Sequence, residues 1–135
     1  PAASTGGENY GWDILEGTDC YGTANDCVPP PNYVPPVAEY PHFATGCTSI
    51  TGGYIYRGAS FPGMQGIYFY TDYCHGVFWG LQRNGNNWVN QQLHDSGFGY
   101  AGFGEDEDGE LYVANLSSGQ VFQVIESAQP TGATP

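Results

Sequence analysis

From residue 49 onward, short runs of apolar and aromatic residues alternate with clusters of Gly, Asn and Asp, and no run keeps a 3.6-residue period beyond a turn. The runs at 49–57, 66–72, 77–82 and 88–94 predict four antiparallel strands, with turns at 58–63, 74–76 and 84–87. Runs at 100–105, 110–115 and 120–125 predict three more, reversed at Asp108-Gly109 and at 117–119. Upstream the pattern is poorer. Residues 9–15 read as a strand and 16–36 as a long polar loop containing Pro29, Pro30, Pro31, Pro35 and Pro36. Residues 37–42 read as a returning strand that Pro41 confines to a sheet edge or a strand end. The first eight residues read as an N-terminal extension, and 126–135, small, polar and Pro-containing, as a flexible tail.

Short twisted strands that pack on aromatic faces and reverse through Gly-containing hairpins suit a blade-type array. The expected fold is therefore all-β, a partial β-propeller over 9–125 with a complete blade at 49–94 and an incomplete one at 100–125. A chain of 135 residues and 14.5 kDa is too short for a closed propeller, because a four-stranded blade takes about 40 to 50 residues.

Fourteen Asp and Glu against Arg57 and Arg83 give a formal charge of −12, with no lysine. Phosphate recognition needs a basic patch, so nucleic acid and anionic membrane surfaces are poor partners. No apolar run reaches the length of a membrane-spanning helix, so membrane insertion is not expected. The start, PAASTGG, has neither the basic nor the apolar region of a signal peptide, which suggests a chain processed or cut out of something longer.

The four cysteines, Cys20, Cys27, Cys47 and Cys74, contain no C-x-x-C pair, and disulfides fit them better than zinc. Three pairings are possible. Cys20 with Cys27 closes a short loop that lacks a core, and Cys47 with Cys74 staples neighbouring strands of one blade, so these are the expected bonds. They imply an extracytoplasmic compartment: secreted, periplasmic or cell-surface.

Several motifs carry a family resemblance: GENYGW (7–12), EGTDC (16–20), TGGYIYRG (51–58), DYC (72–74) and FGEDEDGELYV (103–113). Together, over about residues 6–124, they resemble the C-terminal part of the soluble quinoprotein glucose/sorbosone (aldose sugar) dehydrogenases, a family that includes the related propeller of hedgehog-interacting proteins. The resemblance implies six blades, of which this chain supplies about two plus part of a third. It also implies that the N-terminal segment of a complete protein provides the outer strand missing from the second blade. Intact members oxidise aldoses with pyrroloquinoline quinone and calcium, using a histidine base from an upstream blade that this chain does not contain.

Among residues that could carry chemistry, Arg57 stands out as one of only two cations, following the flexible Gly52-Gly53 pair. In the quinoprotein relatives the basic residue of the matching Y-x-Y-[KR]-G segment contacts the quinone at the mouth of the central channel. The relatives' further arginines before the D-G-x-L-Y turn are replaced here by residues 99–103, Gly-Tyr-Ala-Gly-Phe. A tricarboxylate held by one arginine in an acidic protein is held poorly. The plainer alternative is that Arg57 pairs with a nearby carboxylate or stacks on a tyrosine.

The acidic run Glu105, Asp106, Glu107, Asp108 and Glu110 invites a calcium reading through Asp106 and Asp108. Against it stands a tight turn at Asp108-Gly109 with solvated neighbours, and no other metal site is indicated. Asp72 reads as a turn cap. His42, His75 and His94 lie in separate segments, none with an acidic or histidine partner at ligand spacing. No catalytic residue is assigned. Asn115-Leu116-Ser117 fits the glycosylation sequon, but turn chemistry also explains it. The aromatics, 16% of the chain, are mainly core, with a minority left for a carbohydrate- or partner-binding surface.

Two functions are therefore expected. One is a piece of an extracytoplasmic sugar dehydrogenase-like propeller, inactive alone and needing no cofactor of its own. The alternative is a non-catalytic extracellular binding or self-assembling module, whose partners are the remainder of a propeller or other copies of the chain joined at exposed blade edges.

Overall fold

The computed structural model describes residues 6–22, 26–44 and 46–127. Residues 1–5 of the expected extension, 23–25 of the expected loop and 128–135 of the expected tail lie outside the described residues. The chain divides into two units, residues 1–41 and 42–135.

In the first unit the expected strand over 9–15 does not form. Gly11 takes φ +92, and the N–H groups of Ile14 and Leu15 both turn back onto its carbonyl. A side chain at Gly11 would press on Leu15 and the Tyr33 ring at 3.0 Å, so the turn closes only with glycine. A short hairpin follows, β1 (Leu15–Glu16) with β2 (Asp19–Cys20), inside what the sequence reads as loop. It is held by the Cys20–Cys27 disulfide and by Glu39, whose carboxylate accepts from the Thr18 N–H (2.9 Å) and hydroxyl (2.7 Å). Tyr33 pairs with Asn9 in a parallel bridge and donates its hydroxyl to the Gly17 carbonyl at 2.9 Å. Residues 37–42 form no strand. Pro36 and Pro41 lack the N–H that ladder pairing requires.

The second unit is all-β. A four-stranded antiparallel sheet runs in the order β3 (Ile50–Thr51), β4 (Tyr68–Asp72), β5 (Val77–Asn84), β6 (Asn87–Asp95). A three-stranded sheet follows, β7 (Tyr100–Glu105), β8 (Leu111–Asn115), β9 (Gln120–Gln123). The sole helical turn among the described residues is a 3-10 turn at Pro62–Met64. All-β architecture with consecutive antiparallel sheets is that of a partial propeller-like fold.

The first strand of the larger sheet is shorter than the 49–57 expected. Thr51 faces Thr71 and Ile55 faces Tyr68, so four steps on one side match three on the other, which is a β-bulge. Gly52 and Gly53 fill the bulge. A methyl group on Gly53 would overlap the Phe69 carbonyl oxygen and meet the Phe103 ring at 3.0 Å. Beyond the bulge the pairing resumes, with Tyr56 N–H on the Ile67 carbonyl at 2.9 Å.

Period-2 alternation sorts the side chains. Phe69 and Phe78 face the smaller sheet and join Tyr56, Met64, Tyr100, Leu111 and Val113 in one core. The Phe78 ring meets Tyr100 edge-on at 6.0 Å and Phe103 at 5.5 Å, and Tyr100 meets Phe122 edge-on at 6.5 Å. On the other face of the larger sheet Tyr70 stacks on Trp79 at 5.3 Å, both buried. The two outermost strands differ from the rest: β6 is exposed along all nine residues, and β9 is exposed at all but Phe122.

Candidate functional site

The first strands of the two sheets, β3 and β7, run side by side in the same direction. At their starts the Thr51 hydroxyl donates to the Tyr100 carbonyl at 3.0 Å. Past their ends Gly109 abuts Gly58, where an added methyl would lie 3.0 Å from the Gly58 nitrogen and 3.1 Å from the Arg57 carbonyl carbon. Arg57, Asp106 and Asp108 consequently collect at one end of this strand pair, and Asp72 and His75 at the other.

At the far end, Arg57 is brought to the turn that follows β7. The joint beneath it is polar and buried. Tyr56 is 0% exposed and donates to Glu110 Oε2 at 2.9 Å, while Glu110, 6% exposed, also accepts from the Ser60 N–H at 3.0 Å. Tyr56 oxygen in turn accepts from the Phe61 N–H at 3.0 Å, and Gln65 donates its side-chain amide to the Gly58 carbonyl. Burial pushes the Tyr56 hydroxyl pKa up, and the Glu110 hydrogen bond adds to this. Burial alone would raise Glu110, but the Ser60 N–H, the Tyr56 hydroxyl and the Ser60 hydroxyl outweigh it and hold the carboxyl below its usual value. Glu110, read from sequence as a solvated neighbour of the turn, is thus the buried centre of the joint.

Asp106 organises the turn itself. Its Oδ1 accepts from the N–H groups of Glu110 (2.8 Å) and Asp108 (3.1 Å), and its Oδ2 from the Tyr112 hydroxyl (3.0 Å). The Glu110 N–H does most to lower its pKa, against the raising effect of burial. Gly109 supplies the φ of +78 that the reversal needs. Both oxygens of Asp106 are therefore engaged, Oδ1 by N–H donors of its own turn and Oδ2 by Tyr112 of β8. Among the described residues no group of three or more His, Cys, Asp or Glu side chains is placed to hold a metal ion.

Arg57 itself is exposed and, among the described residues, forms no ion pair. The carboxylate pairing weighed for it does not occur there. Arg83, the other cation, bonds the Gly85 carbonyl in the β5–β6 hairpin through Nε at 3.0 Å.

At the near end, Asp72 is fully buried and caps the turn after β4, accepting from the N–H groups of Cys74 and His75, each at 2.8 Å, and of Ser49 at 2.7 Å. His75 does have an acidic partner, contrary to the sequence reading. Its Nδ1 lies 3.2 Å from Asp72 Oδ1, and its ring packs on Phe43 at 4.1 Å. The spacing of three residues, Asp72 to His75, was the available signal. Cys47 and Cys74 are bonded beside it, and the disulfide, Tyr73, His75, Gly97, Gly99 and Ser117 line an open cleft of about 460 Å³. His42 and His94 are not brought to this cleft. Asn115 is 3% exposed and accepts from the N–H groups of Ser117 (2.9 Å) and Ser118 (3.2 Å), so the sequon asparagine is built into a turn.

No protein-family model matches the chain, and no solved structure matches it. It is 30% identical over 154 aligned positions to the HIPL1 protein of Arabidopsis thaliana, an alignment covering 91% of this chain and 22% of that protein. It is 29% identical over 114 positions to the hedgehog-interacting proteins of Mus musculus and Homo sapiens, covering 71% of this chain and 16% of each. The chain therefore spans between 16% and 22% of the length of these relatives and is homologous to a segment of HIPL1 and hedgehog-interacting proteins.

Proposed function

We infer that the chain is part of an extracellular β-propeller whose role is to bind protein, and that it carries no dehydrogenase activity by itself. The observation that supports this most is the open outer edge of the smaller sheet. β7 lies beside β3 as the inner strand of a neighbouring blade would, while β9 ends the sheet with exposed residues at Gln120, Val121 and Gln123. A strand with one open edge of that kind accepts another strand, from the remainder of a propeller, a second copy or a partner protein. The relatives point the same way, since two of them are named for an interaction with hedgehog. The two disulfides fit an oxidising, extracellular setting. Among the described residues no helix is long and apolar enough to cross a membrane.

The dehydrogenase reading has one observation in its favour, the exposure of Arg57 at the end of the β3–β7 pair. The surroundings do not suit a quinone tricarboxylate. The facing turn contributes Asp106, Glu107 and Asp108, and β7 brings Tyr100 and Phe103 into the core where a cofactor would need cations.

Amide hydrogen exchange tests the choice. The binding reading expects protection of residues 120–123 to rise with chain concentration or an added protein partner, and to ignore pyrroloquinoline quinone and calcium. Quinone-dependent protection around Arg57, together with dye-linked oxidation of an aldose, would place the chain with the dehydrogenases instead.

A further inference from the structure

The β1–β2 hairpin of the first unit presents a face that its own unit leaves uncovered. Leu15 pairs with Cys20 and Glu16 with Asp19, and the Tyr21 N–H extends the ladder to the Ile14 carbonyl at 3.0 Å. Alternation therefore sends Leu15, 3% exposed, to one face, and Ile14, Tyr21 and Asp19 to the other. Trp12, in the turn just ahead of the hairpin, meets the Tyr21 ring at 4.4 Å, with the ring planes 59° apart. Contiguous exposed apolar side chains mark an interaction surface more often than scattered single ones do. Trp12 is 66% exposed, Tyr21 48% and Ile14 43%. The Cys20–Cys27 disulfide and the Glu39–Thr18 bonds fix the backbone that carries them.

Charge identifies the occupant. The first 41 residues contain six carboxylates, Glu8, Asp13, Glu16, Asp19, Asp26 and Glu39, and no Lys, Arg or His. Asp13 adjoins Trp12 in the turn, and Asp19 shares the exposed face with Tyr21. Anionic ligands are repelled here. A neutral sugar can stack on one ring and donate hydroxyls to a carboxylate, but it draws no attraction from the net negative charge, which favours a cation. An arginine meets both demands, since its planar guanidinium stacks on an aromatic face while its forked N–H groups reach a carboxylate.

We propose that the Trp12–Tyr21 pair, with Asp13 and Asp19, is a docking face for an arginine-bearing basic segment of a partner protein. Its residues lie outside both sheets, so it stands or falls separately from strand addition at β9.

Fluorescence anisotropy on the whole 135-residue chain, at physiological salt, tests it with a labelled probe peptide of alternating Arg and Gly. Lysine and glutamate versions of the peptide serve as comparisons. The arginine peptide binds best and the glutamate peptide not at all. Trp12→Ala weakens binding about tenfold, Asp19→Asn weakens it, and Trp12→Phe retains most of it. Glu107→Gln with Asp108→Asn, in the other unit, leaves it unchanged. Equal weakening by the Glu107/Asp108 pair and by Trp12→Ala would reduce the attraction to diffuse charge and overturn the proposal. So would a neutral oligosaccharide that binds through Trp12 and is indifferent to Asp19→Asn. Trp12 is largely exposed, and circular dichroism confirming the fold of each variant separates lost contact from lost structure.

Discussion

The Tyr56 hydroxyl donates to Glu110 Oε2 at 2.9 Å across 54 positions of sequence, and this buried bond joins the segment beyond the β3 bulge to the residue just before β8. Its partners are fully used, because Glu110 also takes the Ser60 N–H and Tyr56 oxygen takes the Phe61 N–H.

Tyr56→Phe removes one donor from buried Glu110, which keeps its Ser60 bonds, and at once takes the acceptor from the part-buried Phe61 N–H. The urea midpoint should fall for Tyr56→Phe and for Glu110→Gln. The double variant should lose less than the two losses added, since the groups act as one network. Leu111→Ala, in the core beside them and 0% exposed, sets the scale at about 2–5 kcal/mol. Strict additivity in the double variant would show that the bond contributes nothing of its own.

Acid should loosen this joint in a defined direction. Glu110 and Asp106 both titrate below their usual values in the folded chain, so the unfolded chain takes up protons first as the pH falls. Their contribution is complete above the ordinary carboxyl pKa of about 4 and is lost as the pH drops through the lower folded values. Urea midpoints measured from neutral to acid pH should therefore decline more steeply for the wild type than for Asp106→Asn or Glu110→Gln. Parallel curves would refute the assignment.

The long hairpin and the three-stranded sheet were legible because period-2 runs bounded by Asn-Gly and Asp-Gly turns leave few alternatives; β5 through β8 fall within a few residues of the expected positions. Local backbone chemistry set the limit elsewhere. A left-handed Gly11 replaces the strand over 9–15, a one-residue bulge cuts the strand expected over 49–57, and Pro41, with Pro36 just ahead, interrupts ladder donation over 37–42. The site was less legible still. Nothing near Glu110 in sequence distinguishes it from Glu107, because the Tyr56 hydroxyl that bonds it arrives from a segment 54 residues earlier. Asp72 and His75 are only three residues apart, yet their contact depends on the turn that Asp72 caps.

The bulge gives a sharp test of packing. Gly53→Ala would force a methyl into the Phe69 carbonyl and the Phe103 ring, whereas Gly102, in β7, has nothing within 4 Å of an added Cβ. Gly53→Ala should cost about 1–3 kcal/mol or more, and Gly102→Ala should change stability by less than about 1 kcal/mol. Thermal melts of the two variants side by side decide it, and equal effects would contradict the close approach.

Reduction should act mainly through the second bond. Cys47–Cys74 closes a loop with a sequence separation of 27, against 7 for Cys20–Cys27. By loop-closure entropy the longer bond contributes about 3–4 kcal/mol. Replacing both Cys47 and Cys74 by serine should lower the denaturation midpoint more than the same change at Cys20 and Cys27. The reverse order would show that the near end of the β3–β7 pair is held by other contacts.

The outer edge of the smaller sheet should make the chain associate. β9 carries Val121, 67% exposed, and Ile125 beyond it is 60% exposed, with no Lys or Pro over 120–125 to discourage pairing. β6, the other outer strand, is also exposed, but its polar Asn90, Gln91 and Gln92 make it the poorer template. Light scattering of the chain at rising concentration should show a growing mass. Val121→Lys, which puts a charge on the edge without touching the core residues Leu111 and Val113, should abolish that growth while leaving the melting temperature nearly unchanged. The equivalent change on the other edge, Val89→Lys, should have little effect. A chain that stays monomeric throughout, or one that associates equally well with Val121→Lys, would rule out β9 as the pairing edge.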